Sequence, residues 1–187
     1  MSFPGIPSLD AAVMAFIQTH FHNTVTDTVF PIITSLGEAG IGWIVLSLVL
    51  LCFKKTRRTG GLVLIAMTVT LLFGELTLKN IICRLRPCNV FTNFPMLIAR
   101  PTSYSFPSGH TSSSFAAALI LTLRHKKDSW LEYIPAVLIA FSRIFLFVHY
   151  PTDVLAGILL GALAALLTYF AAKAIQKRQA EKRTAQI

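Results

Sequence analysis

An all-α, polytopic membrane helix bundle is the architecture this chain's residues favour, with about five transmembrane helices and an N-terminal interfacial helix. Of its 187 residues, 54% are hydrophobic and only 13% are charged, whereas a soluble domain carries about 25% charged residues. Mean hydropathy is +0.65. The apolar residues gather into long runs parted by short basic turns, the pattern of a chain that crosses a bilayer repeatedly.

Residues 8–22 come first. Leu9, Val13, Phe16, Ile17 and His20 or Phe21 recur at helical spacing on one face, with Asp10, Gln18 and Thr19 elsewhere. Such a segment is too polar to span and reads as an interfacial helix. Residues 25–36, interrupted by Pro31 and closed by Gly37, are expected at the same interface. The spans follow at 41–53 (extended backwards through Glu38, Ala39 and Gly40), 61–82, 111–123, 133–148 and 154–172. The second is long enough, at ~1.5 Å rise per residue, to cross a ~30 Å hydrocarbon core. The whole chain is read as one integral membrane domain: an N-terminal segment 1–37, a helical bundle 38–175 and a basic tail 176–187.

Net charge is +9, but its placement argues against nucleic acid as a partner. Of the 17 Lys and Arg, four fall in 54–58, three in 124–127 and five in 173–183, all beside apolar runs. With five alternating spans these three places lie on one side, which the positive-inside rule makes cytoplasmic. The C-terminus is then cytoplasmic, and the N-terminal segment, residues 79–86, the 88–110 loop and the junction at His149 are extracytoplasmic, in a cell membrane. No cleavable signal is indicated by the first ten residues. Three cysteines form no metal or disulfide framework. Cys83 and Cys88 could pair in an oxidising compartment, although no spacing rule supports it, and Cys52 reads as a buried hydrophobe.

The remaining five basic residues, Lys79, Arg84, Arg86, Arg100 and Arg143, sit in or near three polar stretches. Pro107-Ser108-Gly109-His110 opens an apolar run, so Ser108 or Gly109 stands at a helix N-terminus, where free N–H groups and the dipole favour an anion. Gly109 would let backbone approach a ligand. Ser142-Arg143 lies inside an apolar run, where a charge needs a partner or a polar pocket. His149 and Asp153 follow, four residues apart across a Tyr150-Pro151-Thr152 turn, and Asp153 can accept a hydrogen bond from one imidazole nitrogen, leaving the other free to attack. Lys79 and Arg86-Pro87 end the second span, with Glu75 placed to pair with Lys79. Arg84 reads as a cation snorkelling to headgroups. Trp43, Trp130 and Tyr133 read as interface anchors, and His20, His22 and His125 as interfacial or tail histidines. Phe91, Phe94, Tyr104 and Phe106 suit either a lipid tail or loop packing. Three cations, two histidines and a carboxylate are what phosphate binding and transfer require.

Lys79, Arg86 and Pro87, then Pro107 to His110, then Ser142, Arg143, His149 and Asp153 together resemble the three-part signature of the type 2 phosphatidic acid phosphatase superfamily. The resemblance covers residues 79–153 and, in the surrounding spans, the family's membrane branch. It implies that His149 attacks phosphorus to form a phosphohistidine, that Asp153 orients it, and that His110 protonates the leaving group and then activates water. Lys79, Arg86, Ser108, Gly109 and Arg143 would hold the phosphate. Neither metal nor cofactor is expected. The implied substrate is a membrane lipid phosphate or diphosphate at the extracytoplasmic face, by family analogy undecaprenyl diphosphate, with phosphatidylglycerol phosphate and phosphatidate as alternatives. A lipid phosphotransferase would use the same groups. A channel or transporter is the non-enzyme alternative. The chain departs from membrane relatives, which commonly have six spans, in that an interfacial helix replaces the first.

Overall fold

The computed structural model describes residues 3–125 and 130–184, and its regular structure is helical, with no strand among those residues. It opens with a helical hairpin of α1 (Ser8–His20) and α2 (Thr24–Leu36). The corner is set by Asn23, whose side chain accepts from the N–H groups of Val25 and Thr26 at 2.9 and 3.1 Å. Thr26 returns the bond by accepting from Asn23 N at 3.0 Å, which closes a capping box.

The buried face of α1 is not its most apolar one. Asp10, Met14, Ile17 and Gln18 turn inward, while Leu9 and Phe16 stay 59% and 55% exposed. The polar residues are drawn in because they have partners: Gln18 Nε2 donates to the Phe145 carbonyl at 3.0 Å, and Asp10 accepts from Thr152 N at 2.9 Å. The helix is therefore docked into the bundle and leaves apolar side chains facing outward.

Pro31 sits within α2 without ending it. The helix stops at Gly37 and gives way to a 3₁₀ turn (Glu38–Gly40), in which Ala39 (φ 49°) and Gly40 (φ 70°) are left-handed. Helix α3 (Ile41–Cys52) then continues at a 46° bend. Next come α4 (Arg57–Thr70), a π-helical stretch (Leu71–Leu78) and α5 (Lys79–Ile82). Short α6 (Pro87–Val90) precedes a long loop. Three helices finish the chain: α7 (Gly109–His125), α8 (Tyr133–Phe145) and α9 (Pro151–Thr184).

Among the described residues, two helical stretches are long and apolar enough to cross a membrane, Arg57–Val90 and Pro151–Thr184, or three if the bent α2–α3 pair is one span. That is fewer than the five expected. Thr111, Ser112, Ser113 and Ser114 dilute the apolar character of α7. The 13 residues of α8 reach only ~20 Å of a ~30 Å core. Of the expected basic turn at 124–127, Lys126 and Lys127 lie outside the described residues, as does the end of the tail, 185–187.

Helix α7 is central, packed against α4, α8 and α9. Its seam with α9 is the closest. A Cβ on Gly157 would lie 2.7 Å from the Ser108 carbonyl oxygen, and Gly161 sits against the Ser112 carbonyl. Small residues four apart let two backbones approach without clash, the usual device for joining helices in lipid. The opposite face of α9 presents Leu159, Leu163, Leu167 and Phe170 outward. One buried cluster joins Val63, Ala66, Ala116, Ala117, Ile120 and Ala165. Trp43 belongs to it: the ring is buried and Nε1 donates to Ser114 Oγ at 2.9 Å, so it is a core residue where an interface anchor was expected. A buried polar N–H on a large ring needs such a partner.

The second cluster gathers Met14, Ile17 and Cys88 around Phe145, Phe147 and Val148. It settles the role of two loop aromatics. Phe94 stacks on Phe147 at 3.9 Å, and Phe91 packs edge-on to Phe3 at 5.3 Å. Arg100 fastens the same loop by donating to the carbonyls of Cys88, Thr92 and Phe94. His22 stacks on Phe145 and pairs with Asp27 at 2.7 Å. The cysteines are free thiols, Cys83 and Cys52 exposed and Cys88 buried.

Candidate active site

Each catalytic candidate sits at a helix end. The first turn of α9 begins at Pro151, whose missing N–H costs nothing there. That start places Asp153 inside the bundle, where its backbone carbonyl accepts from Ser108 N at 3.1 Å. The α8 C-terminus unwinds through Phe147, held left-handed at φ 60° under the rings of Phe94 and Phe3. Val148 N and His149 N both donate to the Arg143 carbonyl at 3.2 Å. His149 is thereby carried to the inner wall. On α5, Lys79 follows the π-helical stretch, in which Glu75 comes to lie beside it. Both Glu75 carboxylate oxygens accept from Lys79 Nζ at 2.7 Å. Such insertions often mark functional sites, and here the insertion stacks an acid onto a buried lysine.

Lys79, Arg86, Gly109, His110, Arg143 and His149 line one cavity of about 1120 Å³. Glu38, Glu75, Thr34, Ser103 and Met67 are among the other residues that line it. Arg143 donates from Nη1 to Thr34 Oγ1 at 2.5 Å, and its buried Nε has no protein partner among the described residues. Ser108 and Asp153 stand one layer back. Ser108 Oγ accepts from Thr111 Oγ1 at 2.9 Å and is fully buried. Among the described residues, no three His, Cys, Asp or Glu side chains converge where they could hold a metal ion.

The contacts of Arg86 define the state of His149. Its Nε donates to the Ser103 carbonyl at 2.7 Å, and its Nη1 donates to the Val148 carbonyl and meets His149 Nε2, both at 2.9 Å. A guanidinium only donates, so Nε2 must be the acceptor nitrogen and the ring proton belongs on Nδ1. Nδ1 faces Asp153 Oδ2 at 3.4 Å and Ser105 Oγ at 3.5 Å. That separation is longer than a good N–H···O bond, and catalytic hydrogen bonds often tighten only when substrate binds. Asp153 Oδ2 also accepts from Tyr150 N at 2.9 Å and, more closely, from Ser105 Oγ. Complete burial, then the cations Arg86, Arg143 and Lys79, push the His149 imidazole well below its ordinary range. It is neutral and carries an unprotonated nitrogen toward the cavity.

Gly109 has a steric reason to be glycine, since a Cβ there would fall on the Glu75 carboxylate. Gly109→Ala is expected to push Glu75 off Lys79, to cost about 1–3 kcal/mol of stability as overpacking, and to slow turnover by roughly tenfold or more. Thermal unfolding and initial rates check both.

Several residues about the site went unseen in sequence. Arg84 does not snorkel. Its Nη1 donates to Asp153 Oδ1 at 2.6 Å and to Thr152 Oγ1 at 2.7 Å, and its Nη2 donates to Asp10 Oδ2 at 2.7 Å. The signal available was Asp10 itself, an acid on a mostly apolar helix that needed a cation somewhere. Ser103 and Ser105, in an irregular loop, gave none.

The PAP2 superfamily model matches residues 59–177, which contain all three polar stretches. An undecaprenyl-diphosphatase of Sulfolobus acidocaldarius is 39% identical over 127 residues, covering 67% of this chain and 61% of that protein. The chain thus spans less than two thirds of that relative's length. Undecaprenyl-diphosphatase BcrC of Bacillus subtilis is 30% identical over 157 residues, covering 79% of this chain and 76% of its own. The crystal structure of a PAP2-type phosphatidylglycerolphosphate phosphatase from Bacillus subtilis superposes with a TM-score of 0.72 at 29% identity, covering 92% of this chain and 89% of that one.

Proposed function

The chain belongs to the PAP2 superfamily, and on that premise we propose that it hydrolyses a membrane lipid phosphate or diphosphate, undecaprenyl diphosphate foremost, through a phosphohistidine at His149. One observation carries the reading: His149 Nε2, kept an acceptor by Arg86 at 2.9 Å, is presented to a cavity lined by Lys79, Arg86 and Arg143.

In the first step Nε2 attacks phosphorus, the P–N bond forms and the P–O bond to the lipid breaks. His110 supplies the proton to the leaving oxygen. His110 then takes a proton from water, which attacks phosphorus, breaks the P–N bond and releases inorganic phosphate. As phosphorus takes the Nε2 lone pair, the Arg86 N–H that had held it turns to an equatorial phosphate oxygen. Lys79, Arg143 and the N–H groups at the start of α7 near Ser108 and Gly109 stabilise the remaining charge. Asp153 holds the Nδ1 proton in place. The cations take the part a metal would play.

The preference for a prenyl diphosphate rests on two relatives of that activity. An apolar wall that includes Met67, Leu64 and Leu71 adjoins the cations, which suits a headgroup whose tail remains in the bilayer. Five passes, with the short helices α7 and α8 among them, would put the site at the extracytoplasmic face and the basic tail inside, as the distribution of Lys and Arg supports.

The test is phosphate release by the purified protein from undecaprenyl diphosphate, phosphatidylglycerol phosphate and phosphatidate, each with and without EDTA. Release is expected to be fastest from the prenyl diphosphate and unchanged by EDTA. Loss of activity with EDTA would overturn the metal-free mechanism. Solute flux in liposomes with no phosphate released from any lipid would point to a transporter instead.

A further inference from the structure

Beyond the three polar stretches, the site has a support that reaches into the first helix. Asp153 is fully buried, and its two oxygens are held separately. Oδ2 serves Ser105 Oγ and Tyr150 N and faces His149. Oδ1 accepts from Arg84 Nη1 at 2.6 Å. Arg84 is itself fixed on two further sides. Its guanidinium carbon lies 3.8 Å over the Tyr150 ring, and its Nη2 is bound by Asp10 Oδ2 at 2.7 Å. Asp10 also accepts from Thr152 N at 2.9 Å and Thr152 Oγ1 at 2.7 Å, and it is fully buried. A carboxylate so placed is held by pairing. The result is a chain of contacts, Asp10–Arg84–Asp153–His149, running from α1 to the nucleophile.

We propose that Arg84, locked by Asp10 of α1, is a positioning residue that fixes the plane of the Asp153 carboxylate behind His149, so that the N-terminal helix completes the active site. The proposal rests on the reading of His149 as nucleophile. A carboxylate bonded at one oxygen alone can swing about its χ2 axis, which is broad. Bonded at both, it keeps Oδ2 aimed at Nδ1 and thereby keeps the proton there and the lone pair on Nε2. Arg84 is suited to the task because its planar fork spans two carboxylates, which a lysine cannot reproduce. Asp10 lies outside the stretch matched by the family model, residues 59–177.

The test uses the full chain in detergent with Arg84→Met, which keeps the stem and removes the charge, together with Arg84→Lys, Asp10→Asn, Asp153→Asn and the Arg84→Met/Asp153→Asn double variant. With undecaprenyl diphosphate, Arg84→Met is expected to lower kcat about 10–100-fold, as loss of a partner behind a working ligand does, with KM within about twofold because Arg84 lies outside the cavity. Arg84→Lys and Asp10→Asn should shift kcat in the same direction by less. The double variant should be no slower than Asp153→Asn alone, since both changes act through one carboxylate. Spectra of ¹⁵N-histidine give a readout free of substrate: the wild type should show His149 with its proton on Nδ1, and Arg84→Met a mixture of tautomers. Full additivity in the double variant, or a wild-type tautomer and kcat in both Arg84→Met and Asp10→Asn, would overturn the proposal. If the wild type releases no phosphate from any lipid, the functional reading falls and the tautomer spectra alone decide this one.

Discussion

His149→Ala should abolish phosphate release, with a loss of about 10⁴-fold or more, because the proposed covalent route disappears with this residue and only binding and electrostatic stabilisation remain. The loss should appear in kcat while the lipid is still bound, since Lys79, Arg86 and Arg143 stay on the cavity wall. Removing a buried ring also leaves a space beside Arg86, Ser105 and Asp153, so the variant should lose stability as well, on the order of 2–4 kcal/mol. Asp153→Asn offers the comparison at nearly constant volume. It keeps the volume but weakens the hold on the Nδ1 proton and leaves Arg84 and Tyr150 N facing an amide, so its activity should fall well below wild type and its stability should fall too, by about 3–5 kcal/mol. Retention of more than a few per cent of wild-type turnover in His149→Ala, measured as initial rates with protein confirmed folded, would remove His149 from the central position.

Arg86→Lys is expected to have the next largest effect, about 10²–10³-fold in kcat, the loss typical when a donor that stabilises developing charge is removed. The charge is conserved and the geometry is not. Arg86 reaches the Ser103 carbonyl, Ser103 Oγ, the Val148 carbonyl and His149 Nε2 from one rigid plane. A lysine has three donors on a single atom and cannot meet partners on both sides of the loop. Two consequences should follow together. The 103–105 loop should loosen, seen as faster amide exchange at Ser103 and Ser105, and His149 should cease to be held with its proton on Nδ1. A lysine variant with wild-type kcat would mean that Arg86 acts only as a point charge.

Much of the candidate site is legible in sequence because intramembrane charge is costly enough to need a reason. Arg143 in the apolar run of α8, Lys79 four residues after Glu75, and His149 four before Asp153 each stood out against a greasy background. The structure brings Lys79, Arg86, His110, Arg143 and His149 to one cavity. What stayed hidden was of two kinds. Partners of irregular backbone, such as Ser103 and Ser105, follow no periodicity, so nothing in the spacing of their neighbours points to them. The other kind was a misjudged face. Helix α1 was read from its apolar residues, yet it docks through Asp10 and Gln18, because a specific hydrogen-bond partner outweighs apolar patterning when lipid accepts apolar residues on the outside anyway. The same misreading left Arg84 as a snorkelling cation. Trp43 was misplaced for a related reason: its partner, Ser114, lies 71 positions away, out of reach of any local pattern. In α7, Ser114 accepts from Trp43 of a neighbouring helix, and with Thr111, Ser112 and Ser113 it lowers the hydropathy by which a span is recognised.

The most direct test is to trap the intermediate. Wild-type protein mixed with undecaprenyl diphosphate labelled at its terminal phosphate, quenched in base within one turnover, should carry label on a base-stable, acid-labile bond, and peptide mapping should place it on Nε2 of His149. His110→Ala, which lacks the group proposed to activate water, should accumulate more of any adduct that forms. Turnover of the labelled lipid with no covalent label on the protein at any quench time, or label on a residue other than His149, would contradict the phosphohistidine route.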